Sequence, residues 1–225
     1  MKQKELKERL ELHKRWLDTE GKEGDRFVAY ERHLRGVSLV DADLRCASLQ
    51  GADLRDANLL GARLSYADLS EADLSGADLS GADLRHVDLF DADLSFSCLI
   101  NADLSGANLR CSNLRGADLS DADLSGADIR HADLFKADIQ RANLQHVDFS
   151  HSCLCGADID YSSWPLSFGS LDVKVDAGIA RQLAYHFFRL DCDDPEYIRL
   201  RNEMIDFANG FHRVKEYGKL DKMEV

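Results

Sequence analysis

The sequence predicts an all-β solenoid with helical ends, and three observations carry that expectation. Every residue from Leu34 to Ile159 whose number ends in 4 or 9 is Leu, Ile or Phe, and Trp164 takes the next slot. Around each one the order is small, polar, apolar, as in Ala72-Asp73-Leu74 and Ala77-Asp78-Leu79. No proline falls inside the stretch, so no backbone donor is lost from a ladder between coils.

A period of five suits neither common element. An α-helix turns about 100° per residue, so a fifth-residue stripe would spiral around its axis. A flat strand alternates faces, so odd spacing would send successive leucines to opposite sides. A three-residue extended stretch followed by a two-residue corner buries the pattern, with the small and central residues inward and the polar one outward. The small inward slot is Ala, Val or Ser from Val37 to Ser162, as a narrow coil demands. Nine glycines, among them Gly61, Gly76 and Gly116, fall in the last slot, where a corner of positive φ would favour them.

These residues resemble the pentapeptide-repeat family, whose motif is A-(D/N)-L-x-x. The resemblance implies a right-handed quadrilateral β-helix with four repeats, and so 20 residues, per coil. Residues 34–164 would then make about 6.5 coils, roughly 31 Å tall at a strand spacing of ~4.8 Å.

The ends follow other rules. Residues 1–33 carry Leu6, Leu10, His13 and Leu17 at helical spacing before Gly21 and Gly24, which predicts an amphipathic helix capping the first coil. Residues 165–225 form a C-terminal region. Leu171, Val173 and Val175 alternate like a strand, and Asp176 is placed to N-cap a helix bearing Ile179, Leu183, Phe187 and Leu190. Asp194-Pro195 opens a second helix with Ile198, Ile205, Ala208 and Phe211. This region offers more aromatic surface than a cap needs, so it reads as cap plus homodimer interface, with Phe187, Phe188, Tyr197, Phe207 and Phe211 as contacts. Its wording, Trp164-Pro165-Leu166 through Ala184-Tyr185-His186, resembles that of pentapeptide-repeat proteins of Firmicutes and their phages. No apolar run approaches a membrane span, and Met1 to Leu10 is too charged for a secretory signal. Six cysteines without a CxxC pair read as reduced thiols in a cytoplasmic protein.

The formal charge of −13 is unevenly spread. Residues 1–33 hold 9 basic and 8 acidic side chains and residues 165–225 hold 9 and 11, which leaves 10 and 22 in the repeat array. Sorting positions modulo 20 gathers Asp41, Asp78, Asp118, Asp121, Asp138, Asp158 and Asp160 on one face, against Arg141 alone. Val40, Leu60 and Ile100 share an outward slot of the same face. That combination predicts a protein-binding face. An anionic rod also imitates duplex phosphates, and the quinolone-resistance members of the family are similar in repeat, so binding to DNA gyrase is the alternative. Those members favour Phe in many central slots, whereas this chain has only Phe149 there. Direct nucleic-acid binding by so acidic a body is disfavoured.

Motifs for chemistry fail one by one. The DxD pairs, such as Asp91-Ala-Asp93, set a corner residue beside the next face's outward Asp. The run from Asp121 reaches Ala132 where an EF-hand needs Glu, and Gly76-x4-Gly81 is followed by Ala82-Asp83 rather than Lys-Ser/Thr. A corner column of Glu71, Asp91, Cys111, His131 and His151 lacks the convergence that zinc requires. No catalytic constellation, cofactor or metal is expected.

Overall fold

A computed structural model describes residues 3–29, 33–159, 175–187 and 195–210 of the chain. It separates into two compact units, residues 1–174 and 175–225.

In the first unit, parallel bridges join the residue before each central position to the one twenty positions later, from Val28↔Ser48 to Asp138↔Asp158. Four pentapeptides therefore close one coil, as the resemblance implied. Each side is a three-residue extended stretch with a single bridge, too short to register as a regular strand. The ladder repeats without variation: the Leu54 amide donates to the Asp73 carbonyl at 2.8 Å, and the Asp73 amide to the Ala52 carbonyl at 3.0 Å. Every backbone group used this way is satisfied inside a wall one residue thick. The central leucines and the alanines two positions before them fill the bore, and Leu49, Ala52, Leu54 and Leu104 have no accessible surface.

Each corner is a four-residue turn closed by a bond such as Ala57 N–H to Leu54 C=O, 3.0 Å. Its third residue has positive φ, as a type II turn requires. This holds at every fifth residue from Gly36 to Gly156, glycine or not; Asp41, Tyr66, Phe96 and His151 lie between 55° and 62°. The left-handed conformation costs a non-glycine residue about 1–2 kcal/mol, offset here by a bond to the next coil such as Tyr66 N–H to Arg85 C=O at 3.0 Å. Glycine answers a second demand at some corners. Corner side chains lean onto the coil that follows, so a Cβ at Gly116 would sit 2.8 Å from the Phe96 ring, and one at Gly61 2.5 Å from Asp41 Oδ1.

The N-terminal helix, α1 (Gln3–Asp18), buries Leu6 and His13 completely or nearly so. It ends with Glu20 at φ 54° and a Gly21 N–H to Trp16 C=O bond of 2.8 Å, a Schellman closure. The returning loop runs so close to the helix that a Cβ on Gly24 would lie 2.2 Å from the Leu12 carbonyl oxygen. The ladder then begins one repeat upstream of Leu34. Phe27 and Ala29 are buried at 1% and 0%, with the large residue in the small slot and the small one in the central slot.

In the second unit, α2 (Ala177–Phe187) and α3 (Pro195–Ala208) pack on each other, and Ile179, Ile198, Ile205 and Ala208 are buried. Asp176 caps α2, accepting from the Gly178 and Ile179 amides at 2.7 and 3.0 Å, and Pro195 opens α3, both as the sequence predicts. Of the strand expected at Leu171, Val173 and Val175, the first two residues lie outside the described residues, and Val175 is exposed and belongs to no strand.

Candidate protein-binding face

Repeat geometry decides where each outward side chain stands. The polar residue before the central leucine and the residue after it point away from the bore on the same side, and each forms a column down the coils. On three faces the second column contains arginines: Arg35, Arg55 and Arg115 on the Leu74 face, Arg45 and Arg85 on the Leu84 face, Arg110 and Arg130 on the Leu89 face.

Those arginines neutralise the neighbouring carboxylates. Arg55 and Arg85 each grip the Asp two residues earlier through two bonds of 2.8–2.9 Å. They also reach the Asp of the next coil, Arg55 to Asp73 at 3.5 Å and Arg85 to Asp103 at 3.7 Å. Arg130 does the same for Asp128 and Asp148. The hydrogen bond from arginine holds Asp53, Asp83 and Asp128 below the usual carboxylate range.

The Leu79 face is different. Its second column reads Val40, Leu60, Ser80, Ile100, Ser120 and Gln140, without a cation. Its first column places Asp78, Asp118, Asp138 and Asp158 in register through successive bridges. Ser80 and Ser120 donate to Asp78 and Asp118, and Gln140 Nε2 donates to Asp158 at 2.9 Å, but none of them carries charge. Asp138 is pushed above the ordinary carboxylate value, by burial first and then by the charges of Asp118 and Asp158, while the Gln140 amide and Arg141 oppose the rise. Val40 and Leu60 stand 42% and 43% exposed at the N-terminal end of the face, and Ile100 is partly covered.

The predicted residues therefore divide. Asp78, Asp118, Asp138 and Asp158 form one column; Val40, Leu60 and Ile100 share the neighbouring one. Asp41 leans over Gly61 at the corner. Asp121 also sits at a corner, where Arg141 pairs with it through two bonds of 2.7 Å. Asp160 lies outside the described residues, as do Phe188, Phe211 and the side chains of Phe187, Tyr197 and Phe207.

The Asp-x-Arg clasp was legible in the chain, for Asp43-Leu-Arg45, Asp53-Leu-Arg55, Asp83-Leu-Arg85 and Asp128-Ile-Arg130 all carry it. A net charge per face conceals it, because the clasp depends on which slot the arginine occupies. In the corner column the His131 and His151 rings stack at 4.7 Å and 10°. Parallel rings send their nitrogen lone pairs along parallel planes, so they do not converge on one ion. Among the described residues no group of three or more His, Cys, Asp or Glu is placed to hold a metal. Also among them, no helix is long and apolar enough to cross a membrane.

A filled bore, a uniform four-sided wall and one carboxylate column with no arginine in the slot beside it define a β-solenoid that presents a patterned surface. The chain belongs to the pentapeptide repeat family, whose model matches in eight copies between residues 31 and 159. Membership in that family implies the right-handed coil. Among solved structures, the chain is 38% identical to a pentapeptide repeat protein from Nostoc PCC 7120, covering 46% of this chain and 84% of that one with a TM-score of 0.39. It is 26% identical to HetL, a pentapeptide repeat protein of the same organism involved in heterocyst differentiation regulation, covering 71% and 92% with a TM-score of 0.27. It is 18% identical to QnrB1, a plasmid-mediated fluoroquinolone resistance protein, covering 72% and 96% with a TM-score of 0.28. No curated protein matches the chain.

Proposed function

We propose that the chain is a non-enzymatic interaction scaffold whose Leu79 face binds a protein partner with a basic surface. The observation that carries this reading is the arginine-free column beside Asp78, Asp118, Asp138 and Asp158. Three stacked carboxylates at a coil spacing of ~4.8 Å repel one another, and a partner's lysines or arginines would relieve that repulsion. Val40 and Leu60 supply apolar contact at the other end of the face. The rigid coil holds both in place, so little ordering entropy is lost on binding.

Affinity capture from the native host tests this with the wild type and with Asp118→Asn/Asp138→Asn/Asp158→Asn. A partner held by the first and lost by the second supports the reading; equal capture by both overturns it. The same carboxylates favour one second reading, imitation of DNA toward gyrase. Supercoiling by gyrase with and without the protein, and with a fluoroquinolone, separates the two, and an unchanged rate at micromolar protein removes the gyrase reading.

The C-terminal region serves, in this proposal, as the homodimer interface. Leu200 and Met204, one turn apart on α3 and 44% and 38% exposed, support it. Light scattering that returns a monomer at high concentration would end that part.

A further inference from the structure

The end of a β-helix is an unpaired ladder edge. Phe27 stands in the first repeat's small slot, where later amides donate to a carbonyl three residues back, as Val37 does to Leu34 at 3.1 Å. The Arg45 carbonyl belongs to the column that elsewhere accepts an amide from the preceding coil, as Ser65 accepts from Cys46 at 3.0 Å. Among the described residues neither group has such a backbone partner. One side chain of α1 serves both.

His13 is wholly buried. Its Nδ1 accepts from the Phe27 amide at 2.9 Å, and its Nε2 lies 3.1 Å from the Arg45 carbonyl oxygen. Only the neutral ring with its proton on Nε2 fits both. A second proton, on Nδ1, would face the Phe27 N–H donor to donor, leaving two buried donors opposed. The ring stacks on Trp16 at 5.7 Å and meets the Phe27 ring edge at 6.2 Å.

We propose that His13 is a proton-operated latch: taking up one proton releases α1 from the first coil and opens the N-terminal end of the bore. The charges around the ring set its threshold. Burial disfavours the imidazolium most, the Arg45 carbonyl and Asp43 favour it, and Arg26 and Arg45 on the coil oppose it, with a net lowering. Arg9, one turn earlier on α1, adds positive charge, and Asp18 acts on Arg45. Docking is strongest above the free imidazole value of 6.5. Below it, docking weakens by up to about tenfold per pH unit, and the loss is complete once the pH falls through the lowered value of the docked ring.

The test follows the full-length protein by NMR from pH 7.5 downward. The His13 ring-carbon shift reports protonation, and hydrogen-exchange protection factors at Phe27 and along α1 report release. In the wild type the two are expected to change in one step, with coil amides such as Leu104 still protected. His13→Gln, which keeps a donor and an acceptor but cannot be charged in this range, is expected to show no step. A docked helix around a protonated His13 would overturn the latch, as would the same acid release in the glutamine variant. Should that variant not hold α1 at neutral pH, the wild-type titration decides alone, because protonation and release must coincide.

Discussion

The Leu79 and Leu84 faces are built on the same backbone, with the same leucine interior and an aspartate in the same outward slot on most coils. They differ one residue past the leucine. On the Leu84 face Arg45 and Arg85 clasp Asp43 and Asp83, and Arg85 also reaches Asp103 of the next coil. On the Leu79 face Val40, Leu60, Ser80, Ile100, Ser120 and Gln140 put no arginine in the slot beside the carboxylates. The bore sees neither choice, since both columns lie outside the wall. Stability and surface chemistry are therefore separable in this fold: inward slots answer to packing, while outward slots are free to serve recognition.

Breaking the shared interior should have the largest effect. Leu104 has no accessible surface, and Leu104→Ala is expected to cost about 2–5 kcal/mol. Leu104→Asp buries a charge without a partner and should abolish the folded coil. Thermal unfolding followed by circular dichroism measures both, and a soluble, ordered Leu104→Asp product would show that these leucines do not line the bore.

Gly24→Ala comes next. Its Cβ would meet the Leu12 carbonyl oxygen at 2.2 Å in a backbone of φ 78°, and neither side can give way cheaply. A loss of about 2–4 kcal/mol is expected at the α1 end, seen as exchange of α1 amides while the coil stays protected.

The comparison sharpens when one face is converted into the other. Ser120→Arg puts a cation where Arg85 and Arg130 stand on their faces, able to reach both Asp118 and Asp138. Under the proposed function it should weaken partner binding by about tenfold, roughly 1.4 kcal/mol, without lowering the melting temperature. Arg85→Ser, the reverse change on the Leu84 face, should leave binding alone. Equal effects from the two would mean that the Leu79 face has no special role.

Titration gives the smallest and most specific effect. Asp138 has a folded value above its unfolded one, so its contribution to stability is full at low pH and is lost as pH rises through the raised value. Asp83 and Asp128 run the other way: their contribution is present above the unfolded value and is lost as pH falls. Asp138→Asn is therefore expected to stabilise the protein at pH 7 by less than about 1 kcal/mol, since water screens a partly exposed group. Asp83→Asn should destabilise it. Chemical denaturation at pH 7 and pH 4 distinguishes the two, and a destabilised Asp138→Asn would contradict mutual repulsion in the column.

Much of this molecule is legible in its sequence. The leucine register gave the bore, the Ala-Asp-Leu order gave the wall, and Asp176 and Pro195 marked the starts of two helices. The first repeat escaped because Phe27 and Ala29 exchange the large and small slots, and a search for leucine in register passes over them. Positive φ was visible at glycine corners and invisible at Tyr66 or Phe96, whose side chains give no hint that the next coil's amide ladder compels the turn. The acidic face was visible as a sum of charges; which aspartates an arginine clasps depends on the slot that arginine occupies, and a sum per face does not record it.

A short period by itself determined a coiled wall with an apolar bore, because no other regular element buries every fifth residue. Tertiary structure decided which groups meet across coils, twenty positions apart, where no local pattern links them. Arg141 reaches Asp121, Asp138 faces Asp118 and Asp158, and His13 meets Phe27 and Arg45. Those meetings depend on where the chain returns after each circuit and on where α1 settles, and distance along the backbone records neither.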